Sequence, residues 1–505
     1  MAFRLSWLEP RKLLALTSVL GGLAISANAW AVPSFSRQTG WSCATCHTSY
    51  PQLTPMGRIF KLMGYTTTNL QPQQKVEAKV GNVVHLLLPR ISQFSIFVQA
   101  SDTHVAGGQQ LLGVNARTAV NKKGKPIGAV GGNNNLEVPQ QVSLFYAGEV
   151  TPHVGDFLHI TYNGQDGTFA FDDSSIVRAQ AWKLGLHNTL ITGVDVNNTP
   201  SATDLWNTSP DWQAPFFTSN YTAEGEVPTT FIGSSPGAAF PLIGLGAYAA
   251  DIVGPNRANW FYAEADAYDN SEGIGAGPNS GVISEGGGNQ YTLNNSSSCV
   301  ADSADCVAFG QLAGTAPYLR LAYQHDWSDW NWEVGTYDMW SRVYASPTSS
   351  AVDRFYDYDL DSQLQWLDIN DNSNVTVRAN LIHEDARFAA DDVGPTSGSS
   401  LTHGQLNTFN LNATYWYHDE YGAQGGFQDV TGTANSNFWG GNIYTSANGS
   451  PNTTDEWVEA SYLPWWNTRL SVRYTVFNKF RGLTGNNGVS PSKFNTIELL
   501  AWIAY

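Results

Sequence analysis

With 505 residues, 26 Lys+Arg against 43 Asp+Glu and a formal net charge of -17, the chain is too acidic for a nucleic-acid binder or for docking on anionic lipid surfaces. Only 14% of its residues are charged while 12% are aromatic, including 18 Trp and 22 Tyr. Beyond residue 31 there is no run of 18 or more apolar residues, which excludes a transmembrane helix there.

In chain order, residues 1–31 read as an export signal: Arg4, Arg11 and Lys12 give a positive start, Leu13 to Ala27 an apolar stretch, and Ala29-Trp30-Ala31 a small-residue cleavage site. Gly21, Gly22 and Ser26 interrupt the stretch too often for a single-span anchor. Cys43-Ala44-Thr45-Cys46-His47 follows, a C-x-x-C-H spacing that suits covalent attachment of one haem c. Two thiols add to the haem vinyls, and His47, tethered one residue away, supplies the proximal ligand to the iron. A thioredoxin-like redox pair would sit in βαβ surroundings and a structural zinc would need a second ligand pair; neither pattern is present. Ile59, Phe60, Leu62 and Met63, between Pro55 and Gly64, predict a short helical turn with an apolar face for the ring. Met56 and Met63 are the candidate sixth ligands, with a histidine elsewhere or an open position as the alternatives.

From about residue 89 the apolar period changes to two. Ile96, Val98 and Ala100 alternate with Gln93, Ser95 and Gln99, and Phe97 breaks the pattern. Val142, Leu144, Tyr146 and Val150 alternate with Gln141, Ser143 and Glu149, a turn follows at 151–155, and Leu158, Ile160 and Tyr162 then alternate with His159, Thr161 and Asn163. Such hairpins recur to the end of the chain, with short turns alternating against long polar stretches, notably 102–137, 198–240 and 269–316. The expected fold is therefore all-β, an outer-membrane barrel of about 16 strands. A large soluble β-sandwich would not explain the regular alternation of short and long connections. Ile497, Leu499, Ala501, Ile503 and Tyr505 give the last strand an apolar face ending on an aromatic. Cys299 and Cys306, in the longest surface stretch, form a candidate disulfide. Glu149, Glu264 and Asp266 fall on lumen parity and are candidate guides for a hard cation.

The stretch Ala31 to His47, AVPSFSRQTGWSCATCH, resembles the N-terminal signature of the fused outer-membrane cytochrome–porin family of iron-oxidising bacteria, A-x-P-x-F-A-R-Q-T-G-x-x-C-x-x-C-H, and departs from it only at Ser36. The resemblance implies oxidation of extracellular Fe(II) by a haem inside the barrel, with the electron passed to a periplasmic acceptor such as a cytochrome c or a copper protein. The expected organisation is a signal at 1–31, a monohaem segment at 32–88 that plugs the lumen, and a transmembrane barrel at 89–505 in outer-membrane lipid. Two other readings compete: a solute porin with an accessory haem domain, or a general electron conduit for another donor. A haem enzyme such as a peroxidase is a third, but no distal His–Arg pair is identifiable. The excess of carboxylates also suits an acidic medium, where below about pH 4 many are neutral.

Overall fold

The computed structural model describes residues 33–66, 75–80, 83–89, 93–108, 118–120, 126–129, 133–164, 167–208, 218–219, 222, 242–270, 312–344, 351–368, 370–389, 402–434, 449–484 and 489–505. The expected signal at 1–31 and the Cys299–Cys306 pair lie outside the described residues. The barrel strands are β1 (Phe94–Val105), β2 (Asn134–Thr151), β3 (Val154–Asn163), β4 (Thr168–Phe171 continued by Ser175–Lys183), β5 (Thr189–Asn197), β6 (Leu242–Val253), β7 (Asn259–Asn270) and β8 (Ala316–Trp327). They continue as β9 (Trp330–Tyr344), β10 (Val352–Asp368), β11 (Ser373–Arg387), β12 (His403–Tyr417), β13 (Tyr421–Gly432), β14 (Thr453–Trp465), β15 (Thr468–Lys479) and β16 (Thr496–Ala504). The two halves of β4 both pair with β3 and count as one strand. Each strand pairs antiparallel with its sequence neighbour, and β16 closes on β1 from Thr496↔Val105 to Ala504↔Phe97. Closure satisfies every edge, so sixteen strands form one barrel among the described residues.

Period two decides which way each side chain points. On β10, Asp353, Phe355, Asp357, Asp359, Asp361, Gln363 and Gln365 are buried and face inward, while Tyr358 and Leu360 face out. Outward apolar residues recur on most strands, among them Ile96, Leu144, Val194, Leu245, Phe261, Leu321, Leu381, Leu411, Val458, Val472 and Leu499, all exposed. Trp182, Trp327, Trp330, Tyr417, Tyr421, Tyr462 and Trp465 are exposed close to the short turns and form an aromatic girdle at that end. An apolar outer belt over a polar interior is stable only in a bilayer, and the chain is a porin-like barrel of the bacterial outer membrane. Phe97, which breaks the alternation in sequence, faces inward and is buried against Trp502, with ring centroids 5.1 Å apart.

Residues 33–66 lie in the lumen, built from α1 (Pro33–Thr39), α2 (Cys43–Cys46), a two-strand bridge of His47–Ser49 with Gln52–Leu53, and α3 (Pro55–Leu62). Hydrogen bonds tie the segment to the wall on several sides. Ser34 N donates to Ser95 Oγ at 2.9 Å, Gln38 Nε2 to the Ala147 carbonyl at 2.8 Å, and Asn374 Nδ2 to the Thr48 carbonyl at 3.1 Å. Buried Arg58 donates to Asn331 Oδ1 at 2.7 Å, to Gln365 Oε1 at 3.0 Å and to the Leu53 carbonyl at 2.8 Å. A fourth helix, α4 (Pro200–Thr203), and the chain after it also turn inward, where Trp206 Nε1 donates to Gln324 Oε1 at 2.9 Å. The long-loop end of the lumen carries its own apolar cluster, including Tyr268, Tyr337, Phe355, Leu406, Phe477 and Phe494.

Candidate functional site

Cys43, Cys46 and His47 open together onto one cavity of about 390 Å³ in the short-turn half of the lumen. The fold brings them there by a close packing of α2 on α3. Thr54 caps α3 by accepting from Gly57 N at 3.1 Å, and its hydroxyl donates to the Thr45 carbonyl at 2.7 Å, so one side chain links the helix to the cysteine motif. Gly57 touches the Cys46 carbonyl so closely that a Cβ there would overlap it. Gly57→Ala is thus expected to push Cys46 out of place and lower several-fold the incorporation of the haem that the C-x-x-C-H spacing predicts, without altering the barrel's heat-modifiable migration in gels.

Both thiols are half-buried. Burial, with Cys43 adding to it, pushes the Cys46 thiol up to about 11, the opposite of a redox-active thiolate. Burial also holds the His47 imidazole down to about 4, against the pull of the Pro51 and Gln52 carbonyls, so it is neutral near pH 7. Its buried Nδ1 has no hydrogen-bond partner. Aromatic rings line much of the cavity, Phe35, Trp41, Phe60 and Tyr65 from the lumen segment and Phe97, Phe145, Phe157, Trp416 and Trp502 from the barrel, alongside polar and charged groups that include Asp172, Asp173 and Arg469. Phe35 stacks on Tyr65 at 5.1 Å and meets Phe60 edge-on at 5.2 Å. Two adjacent thiols, a neutral imidazole with an orphaned nitrogen and a cavity of this size with aromatic rings in its wall fit a covalently held haem.

Neither Met56 nor Met63 lines this cavity. Met56 is 44% exposed at the start of α3, and Met63 packs against the cluster of Leu62, Val177, Trp206 and Tyr248. The wall holds Lys61 and His159 instead. His159 Nε2 lies 2.9 Å from Thr161 Oγ1, and its Nδ1 lies 3.5 Å from Asp172 Oδ2. The alternation of β3 already assigns His159 to the polar face, but nothing in the sequence says that this face meets Cys43.

The three candidate cation guides separate. Glu149 lies at the short-turn end of β2, where its backbone N donates to Gln38 Oε1 at 3.2 Å, away from the long-loop mouth. Glu264 and Asp266 do come together, deeply buried on β7, and Asp195 of β5 joins them. Parity marks Asp195 as inward, but its meeting with β7 depends on register across an intervening strand.

Asp419, in the turn between β12 and β13, also lines the cavity. Burial raises its pKa to about 6, with His418 pulling the other way. The folded chain therefore holds this proton more tightly than the unfolded chain. The resulting stabilisation is present at acidic pH and is lost as pH rises through about 6. Asp419→Asn should be more stable than wild type at pH 7 but not at pH 4, as thermal unfolding at the two pH values would measure.

No protein-family model and no curated protein matches the chain. Among solved structures it is similar to the outer membrane channel DcaP of Acinetobacter baumannii, at 10% identity over 82% of this chain and 96% of that one, with a TM-score of 0.42. It is also similar to an anion-selective porin from Comamonas acidovorans, at 11% identity over 82% and 98% of the two chains with a TM-score of 0.38. For Salmonella typhi OmpF the values are 11%, 82%, 97% and 0.40.

Proposed function

We propose that the chain is an outer-membrane c-type cytochrome that takes electrons from extracellular Fe(II) and delivers them to a periplasmic electron carrier. The observation that carries this reading is the convergence of Cys43, Cys46 and His47 on one aromatic-walled cavity inside a lumen that residues 33–66 occupy. A haem bound through thioethers to Cys43 and Cys46 and through its iron to His47 would supply a one-electron couple. The protein's own groups do the rest. Burial keeps His47 neutral and able to ligate, and the Phe and Trp side chains of the wall offer the ring apolar contact. Lys61 and Arg469 line the cavity together with Asp172, Asp173 and Asp419, so charges of both signs face any redox group there. Balance requires that each Fe(II) lose one electron and become Fe(III), while a one-electron periplasmic acceptor is reduced once.

Carboxylates and amides line the lumen wall and suit a hard iron cation better than a soft one. The solute-porin reading has the strand number in its favour, since barrels of this size usually leave an aqueous channel. Against it, α1 to α3 and the segment around Trp206 lie inside the bore, hydrogen-bonded to its wall. A difference spectrum of outer membranes with and without Fe(II), paired with solute flux through liposomes, distinguishes the two. The conduit gives a reduced-haem band and low flux, whereas the porin gives high flux.

A further inference from the structure

We infer that Asp195, Glu264 and Asp266 form a binding site for one hard divalent cation inside the barrel. Asp195 lies on β5 and Asp266 on β7, and both pair in register with Gly246 on the strand between them. With no side chain on Gly246, the two carboxylates meet across β6. A Cβ there would overlap Asp266 Oδ1 and stand 2.8 Å from Asp195 Oδ2. Glu264 occupies the next inward position on β7, so the candidate ligand atoms of all three lie within 4.8 Å of one another.

Each carboxylate is held by one oxygen and left open at the other. Asn197 Nδ2 donates to Asp195 Oδ1 at 2.6 Å and to Asp266 Oδ1 at 3.0 Å, and Tyr262 Oη donates to Glu264 Oε2 at 2.9 Å. Asn197 is itself oriented by Tyr268, whose hydroxyl donates to Asn197 Oδ1 at 2.8 Å. That leaves Asp195 Oδ2, Glu264 Oε1 and Asp266 Oδ2 buried without hydrogen-bond partners. The residues are only 2%, 3% and 5% exposed, so water does not screen their repulsion. Lys61, the nearby cation, donates to the Asp204 carbonyl at 2.6 Å and makes no ion pair with the three among the described residues. A divalent cation would satisfy all three orphaned oxygens at once. An all-oxygen set with orienting amide and phenol groups selects Mn²⁺, Fe²⁺, Mg²⁺ or Ca²⁺ over thiolate- and imidazole-seeking metals.

The site needs only the barrel wall. Its use as a resting place for Fe(II) before electron transfer rests on the proposed function. The test is a Mn²⁺ titration of the full-length protein in detergent, read from the electron paramagnetic resonance signal of unbound Mn²⁺. Wild type is expected to take up one equivalent, and Glu264→Gln to bind at least tenfold more weakly. The variant removes a repelled charge, so its heat-modifiable migration should be unchanged; if it fails to fold, Asp195→Asn on the other strand is read in its place. No uptake by wild type at millimolar Mn²⁺, or unchanged affinity in a folded variant, overturns the site. The same titration on the Cys43→Ala/Cys46→Ala chain keeps the two proposals apart. Uptake there supports the site whatever the fate of the iron-oxidation reading, and loss of uptake there, in a folded barrel, shows that the wall alone does not make it.

Discussion

Replacing both Cys43 and Cys46 by alanine is expected to abolish the pyridine-haemochrome signal of the denatured protein, while the barrel still folds. Both thiols border the same cavity as His47, and neither belongs to a barrel strand, so their removal leaves the hydrogen-bonded wall intact. The role proposed for them is covalent attachment, without which any haem held by His47 alone would leave on denaturation. Wild type should give close to one haem per chain. Haem that survives denaturation of the double variant would contradict the attachment site.

The second large effect is expected at Arg58. Its guanidinium is fully buried and joins the lumen segment to β9 and β10 through Asn331 and Gln365, besides closing on the Leu53 carbonyl. Burial lowers its pKa to about 10, still well above any pH at which the protein would work, so the charge is retained. Arg58→Met keeps the length but removes every donor, leaving Asn331 Oδ1 and Gln365 Oε1 without this partner while the Leu53 carbonyl keeps its bond from Gln365 Nε2. The cost to docking of the segment is on the order of 2–4 kcal/mol. Because the wall does not depend on Arg58, the loss should appear as a rise in ion conductance across planar bilayers and faster proteolysis of residues 33–66, with the barrel's migration unchanged. Wild-type conductance in the variant would show that the lumen segment is held by other contacts.

The barrel was legible because its code is local. Period-two alternation, short turns and long loops each occupy a few consecutive residues, and together they give sixteen strands with the expected faces. The proposed haem-attachment motif is local too, since Cys43 to His47 are contiguous. What the sequence withheld is whatever depends on register between strands. Asp195 and Asp266 meet because Gly246 lies opposite both, which no window along the chain reveals. Phe97 looked like a defect in the alternation because its partner, the cavity, is built from Tyr50 and Trp502 far away in sequence. Met56 and Met63 attract attention by element type and proximity in sequence, but the turn of α3 carries one outward and the other into the packing around Trp206. Glu149 has the right parity but sits at the short-turn end, a distinction of height along the barrel that parity does not encode.

In the proposed function, electrons from Fe(II) reach a haem held at Cys43, Cys46 and His47. Stopped-flow mixing of the oxidised, purified protein with excess Fe(II) at acidic pH, with His47→Ala run beside wild type, follows that electron transfer in time. Wild type is expected to show the reduced-haem spectrum rapidly, and the variant to lose it or form it far more slowly. Wild-type haem that stays oxidised under Fe(II), yet is reduced by another donor, would contradict iron oxidation and leave a conduit for a different electron source.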